Sequence, residues 1–279
     1  GTCSWRGPAR GISRLPRRAR ARAKSKKKDF KPKPRPVHHA ARTAEPVPKF
    51  PLEDVFALDV ECVAVGTSHE KGDREPCSLA LVDGFGNVLM HRLIKPEKPI
   101  VSYLTPFTGL HPGDLDGGKA ISLARAIKDL KSALPRRAVL VGQRPSGDVG
   151  WMHLTEEQDF ARTIDLADIF MNDQGMAFSL RHEAWVLLGK EPSSGTHDPC
   201  WDAAVSVELY ARAADAKPKE LEAMRERLTS KEFWPPRPSL ARECGYLIDG
   251  VCLSCYMADH CSCGRPIEAS SARRPHSKK

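Results

Sequence analysis

Residues 56–66 read FALDVECVAVG, an apolar run interrupted by two carboxylates, Asp59 and Glu61. Phe56, Leu58, Val60, Val63 and Val65 are the large and β-branched residues of a buried strand. Side chains alternate across a strand, so the two acids point to the same face, one pleat apart. Like charges that close repel, and burying either one unpaired costs several kcal/mol. The pattern has two solutions. Either a cation sits between the acids, or this end of the strand is open to solvent.

The elements around this strand define the fold class. From Ser78, SLALVDGFGNVLMHRLI reads as a hairpin about a DGFGN turn. A long loop, SYLTPFTGLHPGDLDGG, leads to ISLARAIKDLKSAL, where Ile121, Leu123, Ala126, Ile127, Leu130 and Leu134 have helical spacing. AVLVGQ is a short buried strand, DVGWMHL opens a helix, and TIDLADIF reads as a further strand. FSLRHEAWVLLG is a helix closed by Gly189. DAAVSVELYARAA is another, followed by the charged stretch KPKELEAMRERLTSKEF. A hairpin followed by helices alternating with short strands gives an α/β fold, a mixed sheet flanked by helices. No internal repeat is visible.

Charge divides the chain. Residues 1–50 hold 16 Lys and Arg against Asp29 and Glu45, a balance of +14, so the total of +9 leaves −5 for residues 51–279. Residues 1–49 cannot bury enough apolar area to offset their ordering entropy and read as a disordered basic arm. A basic arm on an acidic body suits a polyanionic partner. It also suits nuclear or nucleolar targeting, with an organellar transit peptide or a plain solubilising tail as the other readings. Residues 50–232 read as the folded domain, 233–268 as a Cys-rich segment and 269–279 as a disordered basic tail. No run approaches the ~20 apolar residues of a membrane span, and the N-terminus has no secretory apolar core. A chain beginning at Gly1 reads as a fragment or a processed form.

Four acids stand at the edges of these elements: Asp59 and Glu61 in DVE, Asp148 at the end of LVGQRPSGD, and Asp202 at the end of HDPCWD, which opens with His197. In order and separation this set resembles the three motifs of the DEDDh 3′→5′ exonucleases of the ribonuclease H-like superfold, the H-x₄-D spacing selecting the histidine subtype. VSYLTPFTGL (101–110) and SLRHEAWVLLGK (179–190) are similar to the eukaryotic RNA exonuclease branch. The resemblance covers roughly residues 52–213. Gln143, where many relatives carry His, departs from it at a position that is not a metal ligand.

The resemblance implies two Mg²⁺ or Mn²⁺ ions, for which carboxylate oxygens are the right hard ligands. Two such ions about 3.5–4 Å apart stabilise the attacking and leaving oxygens of a phosphoryl displacement. Asp59 would bridge both, Glu61 would hold the ion carrying the nucleophilic water, and Asp148 and Asp202 would complete the shell. His197 would take the proton from that water. In the loop 101–110, Thr105, Phe107 and Thr108 would contact the terminal nucleoside, with Phe107 stacking on a base. Taken singly, the residues have plainer readings: Asp148 and Asp202 as helix N-caps, His197 as a surface histidine, Phe107 as a plug at the core edge. Trp151 and Met152 are expected to pack the core behind the site, and Cys62 to be a small buried hydrophobe.

Five of nine cysteines fall within residues 244–263. Cys252 and Cys255 form a C-x₂-C pair, and Cys261 and Cys263 follow. A tetrahedral zinc site would fold a segment too small for its own core. Its four ligands would come from Cys244 or His260 with Cys252, Cys255 and one or both of Cys261 and Cys263; the alternative is free thiols in a tail. The expected activity is metal-dependent 3′→5′ exonucleolysis of single-stranded nucleic acid, RNA in the first place, with no membrane partner. The alternative is an inactive nucleic-acid-binding scaffold with a zinc-dependent interaction module.

Overall fold

The structure, a computed structural model, describes residues 46–192 and 195–253. The basic arm up to residue 45, Cys255, His260, Cys261, Cys263 and the basic tail lie outside the described residues.

Val55–Ala64 forms β1. Arg74–Asp83 (β2) and Val88–Lys95 (β3) make the expected antiparallel hairpin. Its turn follows from its residues. The Asp83 carboxylate accepts from the N–H groups of Phe85 and Asn87, both at 2.9 Å, and Gly86 takes φ 85°, a conformation that favours glycine. Gly84 is needed for space, because a Cβ there would meet the Leu52 carbonyl oxygen at 2.0 Å.

Next come α1 (Thr105–Thr108), the short β4 (Ile121–Ser122) and α2 (Leu123–Ala133). Helical spacing starts at Ile121, yet the helix begins two residues later. The Ser122 side chain caps it by accepting from the Arg125 N–H at 3.3 Å, which leaves Ile121 to pair with Ile94.

β5 (Val139–Gly142), α3 (Ser146–Trp151), β6 (Arg162–Asp165) and α4 (Leu166–Phe170) follow. TIDLADIF is therefore not one strand. It divides at Asp165, whose carboxylate accepts from the Ala167 N–H at 2.9 Å and so starts a helix inside an apolar run. α5 (Leu180–Glu183) continues as a wider turn over Ala184–Leu188 and stops at Gly189, φ 68°. Then come α6 (Pro199–Asp215), α7 (Pro218–Leu228), α8 (Leu240–Glu243) and a small hairpin, β7 (Leu247–Ile248) with β8 (Val251–Cys252).

The main sheet has the order β4-β3-β2-β1-β5-β6. β1 runs antiparallel to β2 and parallel to β5, and β5 parallel to β6. This is the expected mixed sheet flanked by helices. β1 lies inside it and is covered on both faces. Phe56, Leu58 and Val60 pack with Ala126 and Leu130 of α2 and with Met152. Val55 and Ala57 pack with Ala203, Val207 and Tyr210 of α6. The same alternation places Asp59 and Glu61 on the α6 side. The Tyr210 hydroxyl donates to the Pro48 carbonyl at 2.8 Å and accepts from the Phe50 N–H at 3.1 Å, tying the start of the domain to α6.

The described part of the Cys-rich segment rests on this domain. Val251 packs with Ala64 and Leu104, and Arg74 donates to the Cys252 carbonyl at 2.8 Å. Among the described residues no helix is long and apolar enough to cross a membrane.

Candidate active site

The site assembles at the far end of β1. Cα pairing with β5 covers Val55 and Phe56, so the Val60 N–H needs another acceptor. It donates to the Asp148 carboxylate at 3.2 Å. Across β1, the register with β2 shifts between Glu61, opposite Ser78, and Cys62, opposite Pro76. Cys77 is the extra residue of this bulge, and its Sγ lies 3.3 Å from the Glu61 carbonyl. Bulges bend a strand and re-aim its side chains, here beside an acid.

Asp148 and Asp202 lie in the first turns of α3 and α6, and neither is the cap. Pro145 holds that position in α3, and Asp198 in α6, where its carboxylate accepts from the Cys200 N–H at 2.9 Å. With capping assigned elsewhere, both side chains are available to face β1. Asp202 is buried.

His197 ends the loop before α6, and its N–H donates to the Phe107 carbonyl at 2.9 Å. Its Nδ1 lies 3.4 Å from Asp202 Oδ2 and 3.6 Å from Glu61 Oε1. The imidazole is 41% exposed while the two carboxylates are 10% and 12% exposed, so His197 forms the solvent-facing rim of the group. Ligand atoms of Glu61, His197 and Asp202 all lie within 4.8 Å of one another.

The electrostatics follow from crowding acids away from water. Burial pushes the Asp59 carboxyl well above the usual range, and the charges of Glu61, Asp148 and Asp202 push it further. Glu61 is raised to about 7, by burial first, with the His197 charge opposing. Asp148 is raised to about 8, again by burial, against the stabilising Val60 N–H. Burial pulls His197 down, but the Asp202 contact and the Glu61 charge outweigh it, and its pKa is raised.

Among the described residues, Asp59 Oδ2 is buried without a hydrogen-bond partner, and Asp202 Oδ2 is buried with the His197 imidazole 3.4 Å away. An orphaned atom such as Asp59 Oδ2 carries a desolvation cost of about 1–3 kcal/mol or more. Hard oxygen donors with unmatched lone pairs, crowded until they resist ionising, fit a divalent cation. The cation solution to the D-x-E pattern is the one this geometry supports.

The loop residues divide. The Thr105 hydroxyl donates to the Leu110 carbonyl at 2.6 Å. Thr108 is buried, and its hydroxyl donates to the Tyr103 carbonyl at 2.8 Å and accepts from the Leu110 N–H at 3.1 Å. Thr108 therefore closes the loop on itself instead of facing outward. Phe107 lies beside the site, its ring centroid 5.6 Å from that of His197, while it also packs on Ala64, Leu104 and Val251.

Met152 is fully buried as expected. Trp151, half-buried at the end of α3, packs against the same core as expected, with Lys71 Nζ 4.4 Å from its ring centroid. Cys62 is half-buried and packs against that core. Gln143 serves the scaffold, donating to the Phe178 carbonyl at 2.6 Å and lying 3.4 Å from the buried Glu183.

Of the cysteines, Cys252 is buried with its Sγ 3.9 Å from His69 Nδ1. Cys244 is half-buried and joins no group of three metal-capable residues among the described residues. His69 was not a candidate, and nothing in SHEKGD marks it as one. Asp198 was legible: an Asp before a Pro at a helix start is an N-cap signature.

No family model matches the chain. It is 28% identical over 191 residues to the catalytic subunit PAN2 of the PAN2-PAN3 deadenylation complex from Yarrowia lipolytica, covering 62% of this chain and 19% of PAN2. It is 32% identical over 170 residues to RNA exonuclease 5 from Homo sapiens, covering 60% and 21%. The chain thus spans about a fifth of the length of these relatives. Its structure matches the Saccharomyces cerevisiae Pan2 pseudoubiquitin hydrolase–RNA exonuclease module solved with AACCAA RNA, at a TM-score of 0.54 and 22% identity over 66% of this chain and 33% of that one. The sheet flanked by helices is thus the fold found in that module. The expected resemblance to RNA exonucleases is met by relatives that carry that name.

Proposed function

We propose that the chain is a divalent-metal-dependent 3′→5′ exonuclease of single-stranded RNA. The observation that carries this reading is the convergence of Asp59, Glu61, Asp148 and Asp202 at one end of β1, with His197 at the solvent-facing rim. The relatives named as RNA exonucleases support RNA as the polymer, and the motif order supports the direction.

Asp59, Glu61, Asp148 and Asp202 would hold Mg²⁺ or Mn²⁺. When bound, a pair of such ions supplies positive charge to the attacking and leaving oxygens of an in-line displacement. The chain's own residues do the rest. Asp148 is fixed by the Val60 N–H, so its orientation is set before substrate arrives. Asp202 and Glu61 face Nδ1 of His197, which favours the tautomer with its proton there and leaves Nε2 as the basic atom. Nε2 takes a proton from water as the water oxygen bonds to phosphorus. The bond from phosphorus to the O3′ of the preceding nucleotide breaks, and a nucleoside 5′-monophosphate leaves. Phe107, whose ring lies beside His197, and the neighbouring Thr105 would contact the terminal nucleoside. The basic arm adds salt-dependent affinity for the rest of the strand.

The Phe107 ring also steadies the base. An aromatic pair of this kind is worth about 0.5–1.5 kcal/mol. Phe107→Ala keeps the backbone carbonyl that holds His197, so kcat is expected to fall roughly 3–10-fold in single-turnover assays at saturating RNA. A variant that changes KM alone would assign the ring to base stacking.

The reading is tested with 5′-labelled single-stranded RNA and matched DNA, with Mg²⁺ or EDTA. A ladder shortening from the 3′ end of RNA, lost in EDTA, is the expected result. A folded chain that shortens neither polymer would overturn the proposal in favour of a binding scaffold.

A further inference from the structure

A strand of RNA that reaches the carboxylates brings its phosphates to an acidic body. Residues 51–279 carry −5, the total of +9 less the +14 of residues 1–50. Metal ions held by the four acids would neutralise the phosphate being cleaved and leave its neighbours without a counter-charge. Arg181 is a cation beside that site. It lies on α5, which packs against α6, the helix that carries Asp202 and follows His197. Its charge is near enough to His197 to oppose protonation of the imidazole.

The backbone beneath Arg181 is fixed. Ser179 caps α5, its side chain accepting from the His182 N–H at 3.3 Å. His182 is buried, with Nε2 3.0 Å from the Leu228 carbonyl and Nδ1 accepting from the Arg237 N–H at 3.2 Å. Glu183 is buried as well. These two residues face the core, and Arg181 is left half-buried at the surface.

The guanidinium itself is under-used. Among the described residues its ion pair is with Glu243 of α8, whose Oε2 lies 3.6 Å away, beyond hydrogen-bond length. Its Nε is buried without a hydrogen-bond partner. The two side chains are 31% and 39% exposed, so a ligand can reach both. A guanidinium has five N–H donors in a fork that matches the paired oxygens of a phosphate. One long contact to a half-exposed carboxylate leaves most of that capacity idle, and a surface pair of this kind adds little stability.

We propose that Arg181 binds a backbone phosphate of the RNA, next to the one being cleaved, and that Glu243 is the resting partner which this phosphate displaces. The inference deepens the exonuclease reading and rests on it. The exchange replaces a contact at 3.6 Å by charge-assisted hydrogen bonds of about 2.7–2.9 Å, and it returns Glu243 to water. Glu243 is presented from the rim of the site. α8 leads into the β7–β8 hairpin, where Asp249 accepts from the Ser102 hydroxyl at 2.6 Å and Val251 packs with Leu104 and Phe107.

The test reads affinity for a short labelled single-stranded RNA, by anisotropy with the full chain in EDTA, apart from turnover. Arg181→Gln is expected to weaken binding roughly 10-fold and to lower the slope of log affinity against log salt by about 0.7, the share of one phosphate on a single strand. Arg181→Lys should keep that slope and recover part of the affinity, since it retains the charge and loses the fork. Glu243→Gln should tighten binding several-fold, and only while Arg181 is present. The opposite signs separate a ligand contact from a structural ion pair, for which both substitutions would act alike. Equal weakening by Arg181→Gln and Glu243→Gln would overturn the proposal. So would an unaltered chain that shortens RNA while Arg181→Gln leaves affinity and salt slope unchanged. An unaltered chain that shortens no RNA with Mg²⁺ would instead overturn the exonuclease reading, and this inference with it.

Discussion

Asp59→Asn is expected to lower turnover by about 10³-fold or more and, in the same protein without metal, to raise stability at pH 8. The two effects share a cause. Asp59 is the most crowded of the acids, raised by burial and by the charges of Glu61, Asp148 and Asp202. That repulsion is what a divalent cation neutralises and what a metal-free chain must absorb. Asparagine removes one charge at constant shape, and its amide can donate to a neighbouring carboxylate. The pH dependence follows from carboxyl groups whose folded pKa is raised above an unfolded value near 4. Their stabilising protonation is complete below that value and is lost as pH rises through about 7 for Glu61 and about 8 for Asp148. His197, also raised, adds in the same direction, since its paired charge is lost over the same rise. The metal-free melting temperature should therefore fall from pH 5 to pH 8, and Mg²⁺ should restore it mainly at pH 8. At about 1.4 kcal/mol per pK unit, a change from 4.5 to about 7 puts the scale at roughly 2–4 kcal/mol, several degrees in melting temperature. In Asp59→Asn both the pH slope and the Mg²⁺ response should shrink. A metal-free melting temperature flat from pH 5 to pH 8 in the unaltered chain would mean that the acids are not forced together.

The alternation along FALDVECVAVG placed Asp59 and Glu61 on one face because strand periodicity is local, and β1 keeps it through its length. The motif order placed Asp148 and Asp202 for the same reason: each sits in the first turn of its helix. What escaped the sequence depends on competition or on distance. TIDLADIF has the composition of a strand, and it divides because a single carboxylate, Asp165, satisfies a helix N-terminus. Thr108 has the residue type for a substrate contact, but the Tyr103 carbonyl takes its hydroxyl first. Trp151 packs against the core as its spacing implies, but Lys71, which lies over its ring, comes from a loop the periodicity does not reach. The meeting of His69 with Cys252 leaves no local trace, because a contact across 183 positions is a property of the folded sheet.

His197→Ala is expected to lower kcat roughly 10²–10⁴-fold, the range for removal of a positioned general base, while leaving the Mg²⁺-induced rise in melting temperature largely intact. The dissociation of the two readouts is the point. The carboxylates are 10–12% exposed and the imidazole 41% exposed, so the acids govern cation affinity and the histidine meets water at the rim. A base works when unprotonated, and Asp202 and Glu61 hold the His197 pKa above its ordinary value of 6.5. Activity should therefore climb with pH through an acidic limb placed above that value. In His197→Ala this limb should disappear, leaving a residual rate that added imidazole partly restores. Loss of Mg²⁺-induced stabilisation along with kcat would instead make His197 part of the cation shell. Unchanged kcat would place the base elsewhere, and the 3.4 Å approach to Asp202 would then be a structural contact that holds the loop before α6.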